Sequence, residues 1–333
     1  MIKVIQNRLL HTFLHKFSFL FACIYYTIFV TGKDPIASIP LLILAVITAI
    51  GVASLGYFLN DLVDLKSDVE LGKRNMLTKL NPLRIIIVGV TFFALALAPW
   101  IWLPFDVKSG LILLIEILLF VLYSIPPFRL KERGIWGVIV DALYAHTIPC
   151  LLAMYTFSGL QGIPEINIIH VLIFGIWLTL SGVRNIFNHQ IEDLENDEKS
   201  GTITFVVKYL NKKKEINTSL WILIFLEIVL FCLILIPRGL GIIVIVWLFL
   251  STLHLLRNRN HLMNHDTFFS ILHHRILNEF YEIIFPVILL TTIFLGQLKF
   301  GSLIVFHGIV FSMLYLDYLK KFFQSKLSGY KIN

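Results

Sequence analysis

The chain has 333 residues, of which 57% are hydrophobic and 15% are charged, with a mean hydropathy of +0.83. This composition excludes an ordinary soluble domain, because such domains carry about 25% charged residues. The formal net charge of +7 does not indicate nucleic-acid binding. The basic residues lie in short connections between apolar runs, whereas a nucleic-acid site needs one continuous basic patch.

Long apolar runs recur along the whole sequence without a polar linker, which favours a single membrane domain over residues 1–333. We expect residues 1–16 to form a cytoplasmic N-terminal segment, 17–318 to contain the transmembrane helices and 319–333 to form a cytoplasmic tail. A spanning helix needs about 20 mainly apolar residues. In chain order, the predicted helices are 17–32, 37–59, 83–103, 109–125, 136–158, 167–187, 218–236, 240–256, 281–298 and 302–318.

The distribution of Lys and Arg predicts how these helices are oriented. Of the 28 basic residues, 24 fall at the two ends of the chain and in alternate connections, and the opposite side holds only Lys33, Lys108, Arg238 and Lys299. Cytoplasmic loops carry the excess of Lys and Arg. Both termini are therefore predicted to be cytoplasmic, most simply in the cell (inner) membrane, and a reaction centre in the long polar connections would open to that side.

The first acidic cluster follows the second predicted helix. Asp61, Asp64 and Asp68 are spaced i, i+3 and i+7, so that their carboxylates share one face of a helix, with Asn60 on the adjoining row. Like charges on one stripe repel and need a cation. Hard oxygen ligands of this kind suit Mg²⁺, which binds through a few carboxylates and keeps places for phosphate oxygens.

The second acidic cluster follows the sixth predicted helix. Asp193 and Asp197 lie one turn apart, Glu195 lies between them, and Asn188 precedes them on the emerging helix. Two such carboxylate edges could hold metal ions that bridge a diphosphate. Either cluster by itself could be a solvated loop of surface acids, but two clusters in equivalent places, four helices apart, favour a shared site.

Basic residues accompany the acidic clusters and complete a predicted phosphate site. They lie in three separate cytoplasmic connections and could instead serve only to orient the chain. That alternative is weaker for Arg184, which lies about one turn inside the membrane edge, where an unpaired charge is costly. The candidates are Lys73, Arg74, Arg129, Lys131, Arg184 and Lys199.

Three motifs together resemble the UbiA-type intramembrane prenyltransferases. They are Asn60-Asp61-x-x-Asp64-x-x-x-Asp68, the run Tyr123-Ser124-Ile125-Pro126-Pro127-Phe128-Arg129-Leu130-Lys131, and Asp193-x-Glu195-x-Asp197 followed by Ser200-Gly201-Thr202. Their order, spacing and position at cytoplasmic helix ends all fit, over about residues 17 to 300.

This resemblance implies an all-α integral membrane fold, a bundle of nine to ten transmembrane helices around a central cavity that opens to the cytoplasmic side. It also implies Mg²⁺-assisted ionisation of a prenyl diphosphate and attack of an acceptor on the allylic carbocation. Asp61, Asp64, Asp68, Asp193 and Asp197 would bind metal, with Asp64 and Asp193 central to catalysis. Tyr123 would stabilise the carbocation by cation–π attraction. The diphosphate would contact Asn60, Lys73, Arg74, Arg129, Lys131, Arg184 and Asn188.

The predicted activity is transfer of a prenyl group to a small lipophilic or aromatic acceptor in the bilayer, with release of pyrophosphate. A membrane terpene cyclase would use the same ionisation and quench the cation intramolecularly. An ion-coupled secondary transporter would place its acids near the bilayer midplane, whereas these acids end helices. The acceptor, the prenyl length and the oligomeric state are left open by the sequence.

Overall fold

A computed structural model describes residues 14–70, 72, 75–159, 168–194, 197–198, 201–209, 213–257 and 271–327. All regular structure in these ranges is helical. The predicted N-terminal segment 1–16 lies mostly outside the described residues, as does part of the predicted tail 319–333.

Each of the ten predicted segments falls in helical structure of the described chain, although 136–158 and 302–318 each comprise two helices. The apolar runs are long and carry few glycines or prolines in their interiors, so backbone hydrogen bonds can be satisfied within each helix. The helices are α1 (Leu14–Val30), α2 (Ile39–Glu70), α3 (Pro82–Leu97), α4 (Val107–Ser124), α5 (Ile135–Ala142), α6 (Ile148–Ser158), α7 (Ile168–Glu192), α8 (Phe205–Lys208), α9 (Lys213–Leu235), α10 (Gly241–Arg257), α11 (Phe285–Gly296), α12 (Gly301–Val310) and α13 (Ser312–Leu327).

Seven helical segments of the described chain are long and apolar enough to cross a membrane, and three of them, Pro82–Ile101, Ile135–Ser158 and Leu272–Gly296, consist of consecutive helical elements. The number rises to eight if the pair Leu298–Val310 and Ser312–Lys320, bent by 64°, is one span. Lys16–Val30 and Gly241–Arg257 are apolar but shorter. The structure thus agrees with an all-helical membrane fold, while nine to ten spanning helices and a cytoplasmic cavity stay predictions.

The helices form two compact units, and the predicted single domain over 1–333 stays a prediction. The terminal unit comprises Met1–Leu42 and Leu235–Asn333. Its core includes a hydrogen-bonded chain in which Tyr25 Oη lies 3.1 Å from Nδ1 of the buried His307, and Tyr315 Oη lies 2.6 Å from Nε2. These bonds link α1, α12 and α13 across the bend.

The central unit, Ile43–Ile234, carries both predicted acidic clusters. Helices α5 and α7 approach closely at Gly182, where an added Cβ would lie 2.8 Å from Ala142 Cα. A residue without a side chain is therefore needed at this crossing. The crossing brings the residues that follow Gly182 on α7 against α5.

Helix α2 continues eleven residues beyond the end predicted for the second helix, to Glu70. Residues 60–70 contain no proline or glycine, so nothing in their backbone stops the helix. Gly72 follows with φ +65°, a conformation that commonly ends helices at glycine. The first acidic cluster consequently lies on rigid helix.

Candidate active site

The last turns of α2 present the first acidic cluster to the interior of the central unit. Asp61 and Asp64 are 5% and 9% exposed, and Asp68 is half-buried one turn further on. Carboxylates at this depth require partners, because an unpaired buried charge is strongly unfavourable.

Asp64 receives two cations from the connection that follows α4. Lys131 Nζ lies 2.5 Å from Asp64 Oδ2, and Arg129 Nη2 lies 3.0 Å from Asp64 Oδ1. Lys131 also donates to Asn60 Oδ1 at 2.9 Å, and Ser124 Oγ lies 3.5 Å from the same oxygen. Two of the predicted motifs therefore meet in space at Asp64.

Arg129 holds its position through local backbone and side-chain geometry. Its φ of +39° is in the left-handed region, which is uncommon for a residue with a side chain and is often found at functional sites. Partial burial lowers the pKa of Arg129, but the hydrogen bond to Glu132 and the charge of Asp64 outweigh it, so the net pKa is raised. The guanidinium remains a permanent cation beside Asp64.

Asn75 ties the first acidic cluster together, and sequence reasoning missed it. Its Nδ2 donates to the backbone oxygen of Asp61 at 2.7 Å and to Asp68 Oδ2 at 2.9 Å. The backbone N–H of Met76 donates to Asp61 Oδ2 at 3.2 Å. The connection after α2 thus folds back over the carboxylates. No local sequence pattern predicts this contact.

The second acidic cluster lies at the C-terminal end of α7. Asn188 is buried, and its side-chain amide donates to Glu192 Oε1 at 3.2 Å. Asp193 is exposed and Asp197 is half-buried. The backbone N–H of Asp197 donates to the backbone carbonyl oxygen of Asp193. Glu195, Lys199 and Ser200 lie outside the described residues, as do Lys73 and Arg74 of the predicted phosphate site.

Arg184 is fully buried and bound to a carboxylate from another helix. Its Nε and Nη2 donate to Glu227 Oε2 and Oε1 at 2.7 and 3.0 Å, and both side chains are 0% exposed. Nη2 also lies 3.3 Å from Ser181 Oγ. The sequence offers no sign of this partnership, because the two residues lie on helices α7 and α9.

Tyr123 lies within an aromatic cluster one residue before Ser124. Its ring centroid is 5.0 Å from that of Tyr144, which in turn is 4.7 Å from Phe120. Tyr144 donates to Asp141 Oδ1 at 2.7 Å. Asp141 was not identified from the sequence, although an acid inside the apolar run 136–158 is by default a functional candidate.

No three His, Cys, Asp or Glu side chains converge on one metal position within the described residues. A ready-made cage is not what Mg²⁺ requires, because it is usually bound by one or two carboxylates with substrate phosphates supplying other ligands. Asp64 fits such a role, since its buried carboxylate already faces two cations, with Lys131 at Oδ2 and Arg129 at Oδ1.

Comparison with known proteins assigns this geometry to a family. The model of the UbiA prenyltransferase family matches residues 18–274. No curated protein matches the chain. Among solved structures, the chain resembles a digeranylgeranylglyceryl phosphate synthase, with a TM-score of 0.56 and 19% identity over 87% of this chain and 97% of that one.

Two further structures are of a UbiA homolog from Archaeoglobus fulgidus. The one bound to GPP and Mg²⁺ has a TM-score of 0.50 and 18% identity, and the one bound to DMAPP and Mg²⁺ has a TM-score of 0.51 and 17% identity. Each alignment covers 90% of this chain and 95% of that chain. At identities this low, the likeness establishes the fold.

Proposed function

Because the chain belongs to the UbiA prenyltransferase family, we propose that it transfers a prenyl group from an isoprenoid diphosphate to a small lipophilic or aromatic acceptor in the membrane. The observation that carries the proposal is the meeting of Asn60, Asp64, Arg129 and Lys131, which joins two motifs across 67 residues of chain. Carboxylates beside paired cations suit a metal-bound phosphate better than a surface loop.

Asp61, Asp64, Asp68, Asp193 and Asp197 would hold Mg²⁺ together with the diphosphate oxygens. When bound, the metal would neutralise negative charge on the departing pyrophosphate. The structures of the A. fulgidus homolog, which contain Mg²⁺ with GPP or DMAPP, support Mg²⁺ as the cofactor. Asp64 would be central to this site, because its buried carboxylate already faces the cations of Lys131 and Arg129.

The chain's own cations would bind and orient the substrate. Lys131 and Arg129 neutralise Asp64 and would turn toward phosphate oxygens when a diphosphate enters. Asn60 and Asn188 would donate amide hydrogens to the same group, and Lys73 and Arg74 would add charge from the connection after α2. The cations and the metal together would make pyrophosphate a better leaving group.

For Arg184, the structure supports a positioning role in place of the direct phosphate contact suggested by the sequence. A bidentate arginine–carboxylate pair is geometrically specific, and this one connects α7 to α9. Removing either partner would leave a buried unpaired charge. We therefore assign Arg184 and Glu227 to holding the helix that carries the second acidic cluster.

The test uses the purified protein in detergent with geranyl or dimethylallyl diphosphate, Mg²⁺ and a panel of phenols and long-chain alcohols. Asp64→Ala and Asp193→Ala should each lower the rate of pyrophosphate release by at least about 100-fold. Glu70→Ala, an exposed acid at the end of the same helix α2, is the control. Full turnover in both active-site variants would refute the assignment.

Chelation of divalent ions should abolish pyrophosphate release, and added Mg²⁺ should restore it, because carboxylates without a metal repel the diphosphate. The measurement is the rate before chelation, in excess chelator and after Mg²⁺ addition. Turnover that persists at full rate in chelator would contradict Mg²⁺ dependence. Analysis of the products formed without acceptor separates transfer from cyclisation.

A further inference from the structure

Resting on the proposed function, we propose that Asp141 and Tyr144 form an anionic wall that stabilises the allylic cation as the prenyl diphosphate ionises. In that step the C1–O bond breaks, its electron pair leaves with pyrophosphate, and positive charge spreads over the allyl group. The cation needs negative charge on the side away from the diphosphate.

The first argument is depth. Asp141 is the seventh residue of α5, about 9 Å along the helix from Ile135 at ~1.5 Å per residue. An acid inside an apolar span is costly to insert and is generally retained for a specific task. Its Oδ1 accepts the hydroxyl of Tyr144 at 2.7 Å, so the carboxylate is held in one orientation.

The second argument is adjacency to the predicted diphosphate site. Tyr144 packs edge-on against Tyr123, with 5.0 Å between ring centroids. Tyr123 precedes Ser124, whose hydroxyl lies 3.5 Å from Asn60 Oδ1, and Asn60 shares Lys131 with Asp64. The wall therefore begins one residue from the network that would hold the leaving group.

The third argument is electronic. A tyrosine that donates its proton to a carboxylate carries more negative charge on its oxygen and ring, which strengthens attraction for a cation over the ring face. Tyr144 donates its hydroxyl to Asp141, and the ring of Tyr123 packs against that of Tyr144. The carboxylate of Asp141 and the ring of Tyr144 together supply negative potential at this position.

The fold contains a matched control in the same unit. Tyr155 donates to Asp106 Oδ2 at 2.6 Å, a second tyrosine–aspartate pair, which anchors the start of α4. Asp106→Asn preserves both the helix cap and the hydrogen-bond acceptor, because asparagine caps helices as well as aspartate. Asp141→Asn likewise keeps an acceptor for Tyr144 and removes only the charge.

The experiment measures pyrophosphate release in a single turnover of geranyl diphosphate with Mg²⁺ and no acceptor, so that water quenches the cation. We expect Asp141→Asn to slow release by about 100-fold and Tyr144→Phe by roughly 5- to 10-fold. Affinity for the unreactive geranyl thiolodiphosphate should stay unchanged in both. Asp141→Glu should recover part of the rate, and Asp106→Asn and Tyr155→Phe should change it by less than about twofold.

Release within about threefold of wild type in Asp141→Asn would overturn the proposal, even if transfer to an added acceptor were lost. An equally large fall in the rate of pyrophosphate release in Asp106→Asn would overturn it in favour of a purely structural role. Weaker binding of geranyl thiolodiphosphate by Asp141→Asn would do the same. If Asp141→Asn fails to fold, Tyr144→Phe provides the test. An unchanged rate of pyrophosphate release in Tyr144→Phe would then overturn the proposal. Absence of pyrophosphate release from the wild type would instead refute the proposed function.

Discussion

At the scale of single residues, Asp64 is the point at which two of the three sequence motifs meet. It lies on α2 and receives both Lys131 and Arg129 from the connection after α4. Lys131 is 16% exposed, so its charge is partly withdrawn from solvent and its attraction to Asp64 is stronger than that of a surface pair. A diphosphate carries more negative charge than one carboxylate, so it can compete with Asp64 for these two cations.

Replacing Lys131 with methionine should lower kcat/KM for the prenyl diphosphate by about 100-fold, because one cation is lost where leaving-group charge develops. The matched control is Lys66→Met on α2, whose side chain is exposed. Steady-state pyrophosphate release measures both. A fall in Lys66→Met as large as in Lys131→Met would show that general surface charge, and not this contact, controls the rate.

At the scale of elements, the crossing of α5 and α7 brings together two helices that carry candidate functional residues. Helix α5 carries Asp141, and α7 carries Arg184 and ends in the second acidic cluster. Gly182 permits the close approach, and the Arg184–Glu227 pair connects α7 to α9. The position of the second cluster therefore depends on packing well inside the unit.

Gly182→Ala should destabilise the protein by roughly 1–3 kcal/mol, since the new methyl group would overlap the backbone of α5. Gly175→Ala on the same helix is the control, because its Cβ would meet only Leu151 Cδ1 at an ordinary 3.6 Å. Thermal unfolding in detergent should show a lower midpoint for the first variant. For the second, helix propensity predicts no loss. Equal midpoints would contradict the close crossing.

At the scale of the whole molecule, the asymmetry of Lys and Arg predicts the orientation in the bilayer. The chain places 24 of its 28 basic residues on one predicted side. Several apolar helices and the family match indicate an integral, multi-pass membrane protein. Cytoplasmic termini in the cell membrane follow from charge and are a proposal of topology.

Single cysteines test this topology in a chain whose Cys23, Cys150 and Cys232 have been replaced. An impermeant maleimide added to intact cells should label Lys33→Cys, on the predicted outer side, and should leave Lys79→Cys unlabelled until the cells are opened. Both native side chains are exposed, so access to reagent depends on the side of the membrane. Labelling of Lys79→Cys in intact cells would contradict the predicted orientation in the membrane.

The sequence by itself determined the class of protein, the apolar segments and the helical spacing of the acidic motifs. These features depend on composition and on spacing within a few turns of one helix, which is local information. The extension of α2 to Glu70 was also predictable, because no proline or glycine lies between Asn60 and Glu70.

Only the tertiary structure decided which of these residues are in contact. Lys131 and Asp64 are 67 residues apart, and Arg184 and Glu227 are 43 residues apart. Asn75 and Asp141 carry no periodic signal that would identify their partners. Contacts of this kind arise when helices pack, and where both lipid and core are apolar, the hydrophobic pattern of a helix does not reveal which face meets a neighbour.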